Sequence, residues 1–220
     1  MDKNTLAGYI DHTLLKPTAS LDDIHKLCDE AIEHHFCSVC IAPYFVEAAA
    51  KRLEKSEVKV CTVIGFPLGY QLTTLKIDEI KRAFNLGVHE IDAVVNVSAI
   101  KSGDWDWVEQ EITSIATTAS IKDLTSKIIF ETCYLTEAEV IKLCDLCTQT
   151  GVNYVKTSTG FGSAGATVEM VKLMKANIGK KMKVKASGGI RTYEDAIKMI
   201  DAGAERLGAS AGVSILSGIR

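Results

Sequence analysis

Two lysines each close a short apolar run just before a polar, glycine-ended stretch: Lys156 in Tyr154-Val155-Lys156-Thr157-Ser158-Thr159-Gly160, and Lys185 in Val184-Lys185-Ala186-Ser187-Gly188-Gly189. A lysine at a strand end buries its stem and points its amine into a cleft. An ammonium half removed from water tends to shed its proton, and the free amine can form a Schiff base with a carbonyl compound. An unperturbed lysine has a pKa near 10.4, which leaves on the order of one molecule in a thousand neutral at pH 7. A second ammonium within about 6 Å, with partial burial, lowers that pKa by a few units. Lys156 is therefore the candidate nucleophile and Lys185 the candidate charge that perturbs it. Asp92 is the candidate proton donor and acceptor, since carbinolamine formation and dehydration both need one. The bland alternative for Asp92 is a salt-bridged or helix-capping carboxylate. Lys127 opens the run that ends at Glu131, and alternation puts both on one face. If that face is inward, Lys127 adds positive charge to the interior, in a ligand contact or a fold-stabilising pair.

Phosphate signals are separate. Ser187-Gly188-Gly189-Ile190-Arg191 and Gly208-Ala209-Ser210-Ala211-Gly212 each follow an apolar run. Their glycines expose backbone N–H groups, Ser210 offers a hydroxyl at an expected short-helix start, and Arg191 adds charge. Gly188, Gly189, Gly208 and Ser210 are the primary candidates, with Thr159, Gly160 and Lys127 as further substrate contacts. Each glycine pair alone is a weak signal, because glycine more often just makes a turn.

The elements that must position these residues alternate between helix and strand. Ser20 with Asp23, Thr136 with Glu139 and Thr192 with Asp195 read as capping pairs at helix starts. A weak repeat follows the helix ends: Gly87-Val88-His89-Glu90-Ile91-Asp92, Gly151-Val152-Asn153-Tyr154-Val155-Lys156 and Gly203-Ala204-Glu205-Arg206-Leu207-Gly208 share one register. A fainter copy runs from His35 to Cys40. The fifth position after the turn residue is Asp92, Lys156, Gly208 or Cys40, each expected at the C-terminal end of its strand. Strands are predicted near 9–13, 36–41, 58–64, 90–95, 127–131, 153–156, 182–186 and 206–208. Eight βα units favour a closed α/β barrel, with a doubly wound open sheet as runner-up; both bind ligands at the carboxyl ends of their strands.

The chain has 220 residues, enough for one domain with a real core and no composition shift that marks a linker. A net charge of -3 argues against nucleic acid or an anionic membrane as the main partner. No signal peptide or membrane span is evident, and seven cysteines, an odd number, point to reduced thiols and a cytoplasmic setting. Cys37 and Cys40 would face opposite sides of a strand, and Cys144 and Cys147 fall on an apolar helical stripe, so neither Cys-x-x-Cys pair reads as a metal or redox centre.

Lys156-Thr157-Ser158-Thr159-Gly160, Lys185-Ala186-Ser187-Gly188-Gly189-Ile190-Arg191-Thr192 and Asp11-His12-Thr13-Leu14-Leu15-Lys16 closely resemble the deoxyribose-phosphate aldolase family, as do Glu90-Ile91-Asp92 and Lys127-Ile128-Ile129-Phe130-Glu131-Thr132. The resemblance covers essentially the whole chain. It implies a single-domain (β/α)8 TIM barrel over residues 1–220, and reversible cleavage of 2-deoxy-D-ribose 5-phosphate to acetaldehyde and glyceraldehyde 3-phosphate. No metal or organic cofactor is implied, the partners are the sugar phosphate and aldehydes, and a homodimer is the family expectation. By the same resemblance Lys156 matches the Schiff-base lysine, Lys185 the lysine that perturbs it and Asp92 the proton relay; Gly188, Gly189, Gly208 and Ser210 match phosphate-loop positions. Two departures stand out. Some members carry a lysine directly after the Lys-Thr-Ser-Thr-Gly motif where this chain has Phe161, and some carry a terminal tyrosine where it ends Ser217-Gly218-Ile219-Arg220, so proton transfer is expected to rest on Asp92, Lys185 and water. Cys40 resembles a position near the pocket and is expected to contribute to aldehyde sensitivity through its thiol. The rival readings are a barrel isomerase or another lysine aldolase with a different donor, and, outside enzymes, a silent sugar-phosphate sensor.

Overall fold

A computed structural model describes residues 1–219. Eight parallel strands close into a barrel in sequential order. They are β1 (Ile10–Leu14), β2 (Ser38–Ile41), β3 (Lys59–Ile64), β4 (Glu90–Val94), β5 (Thr125–Ile129), β6 (Tyr154–Lys156), β7 (Lys183–Ser187) and β8 (Arg206–Ala209). The helices are α1 (Lys3–Ala7), α2 (Leu21–His34), α3 (Val46–Leu53), α4 (Thr73–Asn85), α5 (Val97–Lys101), α6 (Trp105–Ile121), α7 (Glu137–Thr150), α8 (Val168–Asn177), α9 (Tyr193–Asp201) and α10 (Gly212–Ser217). The closed sheet rules out the doubly wound alternative.

Local chemistry sets the element ends. Ser20, Thr136 and Thr192 each form a full capping box with the acid three residues on, and these boxes start α2, α7 and α9. The turn residue of the repeat takes a left-handed conformation in every copy: His35 at φ 56°, Gly87 at 95°, Gly151 at 78° and Gly203 at 111°. That turn reverses the chain from helix to strand, which explains why glycine holds three of the four positions.

The outward faces of the strands carry Val39, Ile91, Ile128, Val155, Val184 and Leu207, all buried under the helices. The main apolar core therefore lies between sheet and helices. The barrel interior is polar. The register stacks it in layers of four, each layer drawn from alternate strands. Ser38, Glu90, Tyr154 and Arg206 form the floor. Asp11, Cys61, Lys127 and Lys185 form the middle layer, and Cys40, Asp92, Lys156 and Gly208 the upper one.

One boundary differs from the sequence reading. β5 runs from Thr125 to Ile129, so Lys127 lies mid-strand and Glu131 lies beyond the strand in a left-handed conformation, φ 54° and ψ 61°. Alternation does not carry across that kink, and Glu131 turns to the loop after β6 instead. Asp92 likewise sits two residues short of the end of β4.

Candidate functional site

Asp92 is the hub of the upper layer. Its Oδ2 accepts from Lys156 Nζ at 2.8 Å and from Lys185 Nζ at 2.7 Å, and its Oδ1 faces Lys127 Nζ at 2.9 Å. Because both amines touch one oxygen, Lys156 and Lys185 are no farther apart than the sum of those two bonds. Burial alone would raise the Asp92 carboxyl, but the ammonium groups of Lys127, Lys156 and Lys185 outweigh it and hold its pKa well below the ordinary carboxylate range. Burial likewise disfavours charge on Lys185, yet the carboxylates of Asp11 and Asp92 reverse the balance and raise its pKa above the ordinary lysine value. That balance favours a charged Lys185 ammonium beside Lys156.

Below this hub the floor organises around Arg206. Its guanidinium donates to Glu90 at 2.9 and 3.2 Å and to Ser38 Oγ at 3.3 Å, and it lies 5.8 Å from the centre of the Tyr154 ring. It also donates from Nε to Asp11 Oδ1 at 2.7 Å, while Asp11 Oδ2 pairs with Lys185. Lys127 completes the circuit through Glu90 at 2.6 Å. Asp11, Glu90 and Arg206 had no role in the sequence reading. For Glu90 and Arg206 the repeat held the signal: the third position after the turn residue is Ser38, Glu90, Tyr154 or Arg206, one strand period below Cys40, Asp92, Lys156 and Gly208; Asp11 lies outside the repeat.

A cleft of about 290 Å³ opens over this interior on the β6, β7, β8 and β1 side. Its lining brings together Lys156, Thr159, Gly160, Gly188, Gly189, Gly208 and Ser210 from the sequence reading, with Lys16 and Arg191 as cations at the rim. Lys127 is fully buried and does not line it; paired with Glu90 and Asp92, it lies beneath the cleft as part of the ionic interior. Gly188 and Gly189 both hold positive φ, 85° and 83°, a backbone turn only glycine makes without strain. Gly165 packs directly behind them, where a Cβ would come within 2.2 Å of Gly188 O. Gly208 is the one upper-layer position without a side chain. A Cβ there would come within 2.9 Å of Ser187 Cβ and 3.2 Å of Lys185 Cε, so glycine lets β8 pack closely against these two β7 side chains.

Cys40, Cys61 and Asp92 bring ligand-type atoms within 4.8 Å of one another. The donor set does not fit a cation, because Lys127 Nζ lies 3.5 Å from Cys61 Sγ and three ammonium groups already occupy Asp92. The seven cysteines are free thiols, with Cys144 and Cys147 buried on α7.

The sequence matches the DeoC/LacD family aldolases over residues 5–219. It is 56% identical to deoxyribose-phosphate aldolase 1 of Vibrio vulnificus across 96% of this chain and 95% of that one. It is 52% identical to the deoxyribose-phosphate aldolase of Thermococcus gammatolerans across 98% and 96% of the two chains. Among solved structures, a deoxyribose phosphate aldolase from Aeropyrum pernix superposes with a TM-score of 0.92 at 32% identity, covering 98% of this chain and 91% of that one. Matches of this length leave no part of the barrel unaccounted for: the chain belongs to the DeoC/LacD family of aldolases.

Proposed function

We propose that this chain is a Schiff-base aldolase that reversibly cleaves 2-deoxy-D-ribose 5-phosphate to glyceraldehyde 3-phosphate and acetaldehyde, with Lys156 as nucleophile. One observation carries the assignment of the nucleophile. Inside the barrel four cations, Lys127, Lys156, Lys185 and Arg206, face three carboxylates, Asp11, Glu90 and Asp92. Of those four cations only Lys156 lines the cleft. Its amine is therefore the one that a carbonyl compound in the cleft can reach.

In the cleavage direction the Lys156 amine adds to the C1 aldehyde of the open sugar, and loss of water gives the iminium. Removal of the C3 hydroxyl proton then breaks the C2–C3 bond, releasing glyceraldehyde 3-phosphate and leaving an enamine on Lys156. Protonation at C2 and hydrolysis yield acetaldehyde and the free amine. Asp92, ionised and adjacent to Lys156 Nζ, is placed to accept a proton, with water carrying it onward. Lys185 keeps a positive charge beside the reacting nitrogen. The phosphate rests on the Gly188-Gly189 turn and the segment around Ser210, with Arg191 and Lys16 at the rim.

Two further expectations go with this reading. Free thiols at all seven cysteines fit a reducing compartment, and we place the enzyme in the cytoplasm. A homodimer is carried by the resemblance and is read out by sedimentation.

Borohydride reduction in the presence of acetaldehyde, followed by peptide mass mapping, tests the reading. A two-carbon adduct on Lys156, lost in Lys156→Ala together with cleavage of deoxyribose phosphate, is the expected result. An adduct confined to surface lysines would sink it.

A further inference from the structure

Glu131 is a buried carboxyl at the barrel mouth that takes no part in the bond-making steps: it is 4% exposed and does not line the Lys156 cleft. The ladder between β5 and β6 loses its register at this residue. Phe130 N donates to Lys156 O at 2.9 Å and Thr132 N to Thr157 O at 3.0 Å, so the chain leaving β5 advances two residues while the chain leaving β6 advances one. The extra residue is Glu131, whose left-handed backbone makes a bulge directly beside the nucleophile's strand. Bulges re-aim a side chain, and this one turns Glu131 onto the loop that follows Lys156.

Both carboxylate oxygens are spent on one residue of that loop. Oε1 accepts from Thr159 N at 3.2 Å and Oε2 from Thr159 Oγ1, while Thr159 Oγ1 in turn accepts from Phe161 N at 3.0 Å. Gly162 closes over the pair, where a Cβ would lie 3.1 Å from Glu131 Cδ and 2.7 Å from Cys133 Sγ. Thr159 lines the cleft, yet both of its donors are taken from behind. The next N–H along, that of Gly160, donates to no group among the described residues. Gly160 stands opposite the glycine turn after β7: a Cβ on Gly188 would come within 3.7 Å of Gly160 Cα. One wall of the phosphate end is thus the Gly188-Gly189 turn, and the other is the segment that Glu131 holds.

We propose that Glu131 is a positioning residue for the substrate's phosphate: it touches no substrate atom and, acting through Thr159, fixes the Gly160 wall at one spacing from the Gly188 turn. The proposal rests on the aldolase reading and deepens it, since it gives Thr159 the part of a connector in place of a phosphate ligand. A carboxylate suits the task because it offers two acceptors and no donor, which matches the two donors of Thr159. A buried carboxyl without hydrogen bonds is costly, so the loop is drawn onto Glu131 and kept there.

The test compares the parent with Glu131→Gly, Thr159→Val and the double variant. Glycine takes the left-handed conformation without strain, so Glu131→Gly removes the clamp and keeps the bulge. In Glu131→Gly, KM for 2-deoxy-D-ribose 5-phosphate and the dissociation constant of inorganic phosphate, read by titration calorimetry, should both rise roughly tenfold, with kcat falling by less than KM rises. Thr159→Val should move the same two constants in the same direction by less, and the double variant should match Glu131→Gly, because both changes break one connection. Unchanged phosphate affinity in Glu131→Gly overturns the proposal, as do a loss of kcat with KM unmoved, effects that add in the double variant, or a parent without measurable affinity for inorganic phosphate. Should Glu131→Gly not fold, Glu131→Gln, with one acceptor in place of two, is read by the same criteria. Absence of the acetaldehyde adduct on Lys156 of the parent would sink the aldolase reading alone, and the calorimetric affinities would still decide the clamp.

Discussion

Lys156 and Lys185 share one oxygen of Asp92, at 2.8 and 2.7 Å, so a positive charge stands beside the nucleophile. Replacing Lys185 with leucine removes that charge and leaves the Asp92 carboxylate in place. The Lys185→Leu variant should therefore lose activity, and what remains should appear at higher pH in the kcat/KM profile. An unmoved profile would take Lys185 out of the nucleophile's electrostatics. This pair was legible in the sequence because each lysine closes an apolar run before a glycine-ended loop. The partners that tune it were not, since Asp11 and Arg206 are 195 residues apart and meet only where β1 closes on β8.

At the scale of elements, the loops that shape the mouth are tied down by a buried pair outside the site. Lys76 on α4 donates to Val94 O at 2.8 Å and to Glu111 on α6 at 2.7 Å, both side chains fully buried, and Glu111 accepts from Asn96 N at 3.1 Å. Burial pushes both groups toward neutrality: the Lys76 pKa is lowered and the Glu111 pKa raised. Glu111→Ala strands a buried ammonium and should cost about 3–5 kcal/mol, while Lys76→Met combined with Glu111→Leu should lose little or gain about 1–4 kcal/mol. Urea denaturation of the two variants separates these outcomes. Helix starts and the helix-to-strand turns were readable from single short stretches, because a capping box and a left-handed glycine are local events. The Lys76–Glu111 clamp joins two helices across 35 residues, and the left-handed Glu131 is held by Thr159 across 28. Neither leaves a local pattern.

For the whole molecule, the ionic interior sets how stability responds to pH. Asp11 and Asp92 have pKa values held below the ordinary carboxylate value despite burial, by Arg206 and Lys185 in one case and by Lys127, Lys156 and Lys185 in the other. Their contribution is complete above the unfolded carboxylate pKa of about 4 and is lost as pH falls below it. Lys127 and Lys185 have raised values despite burial, through Asp92 and Asp11 among others. Their contribution is complete below the unfolded lysine pKa of about 10.4 and is lost above it. Thermal unfolding should therefore show a plateau from about pH 5 to 10 and a steep acid limb below about pH 4. A melting temperature still rising as pH falls below 4 would contradict this.

The layered interior also bears on how the chain can reach its native state. A barrel with an apolar centre gains something from every added strand, so half-barrels retain part of the stability of the whole. Here a half-barrel ending at β4 would hold Asp11, Glu90 and Asp92 with none of their four cations, which come from β5 to β8. Unpaired carboxylates in a forming core are strongly unfavourable. Closure of this barrel should therefore be cooperative, the last strands neutralising the first, and N-terminal fragments should remain open, hydrated chains until the C-terminal half is present.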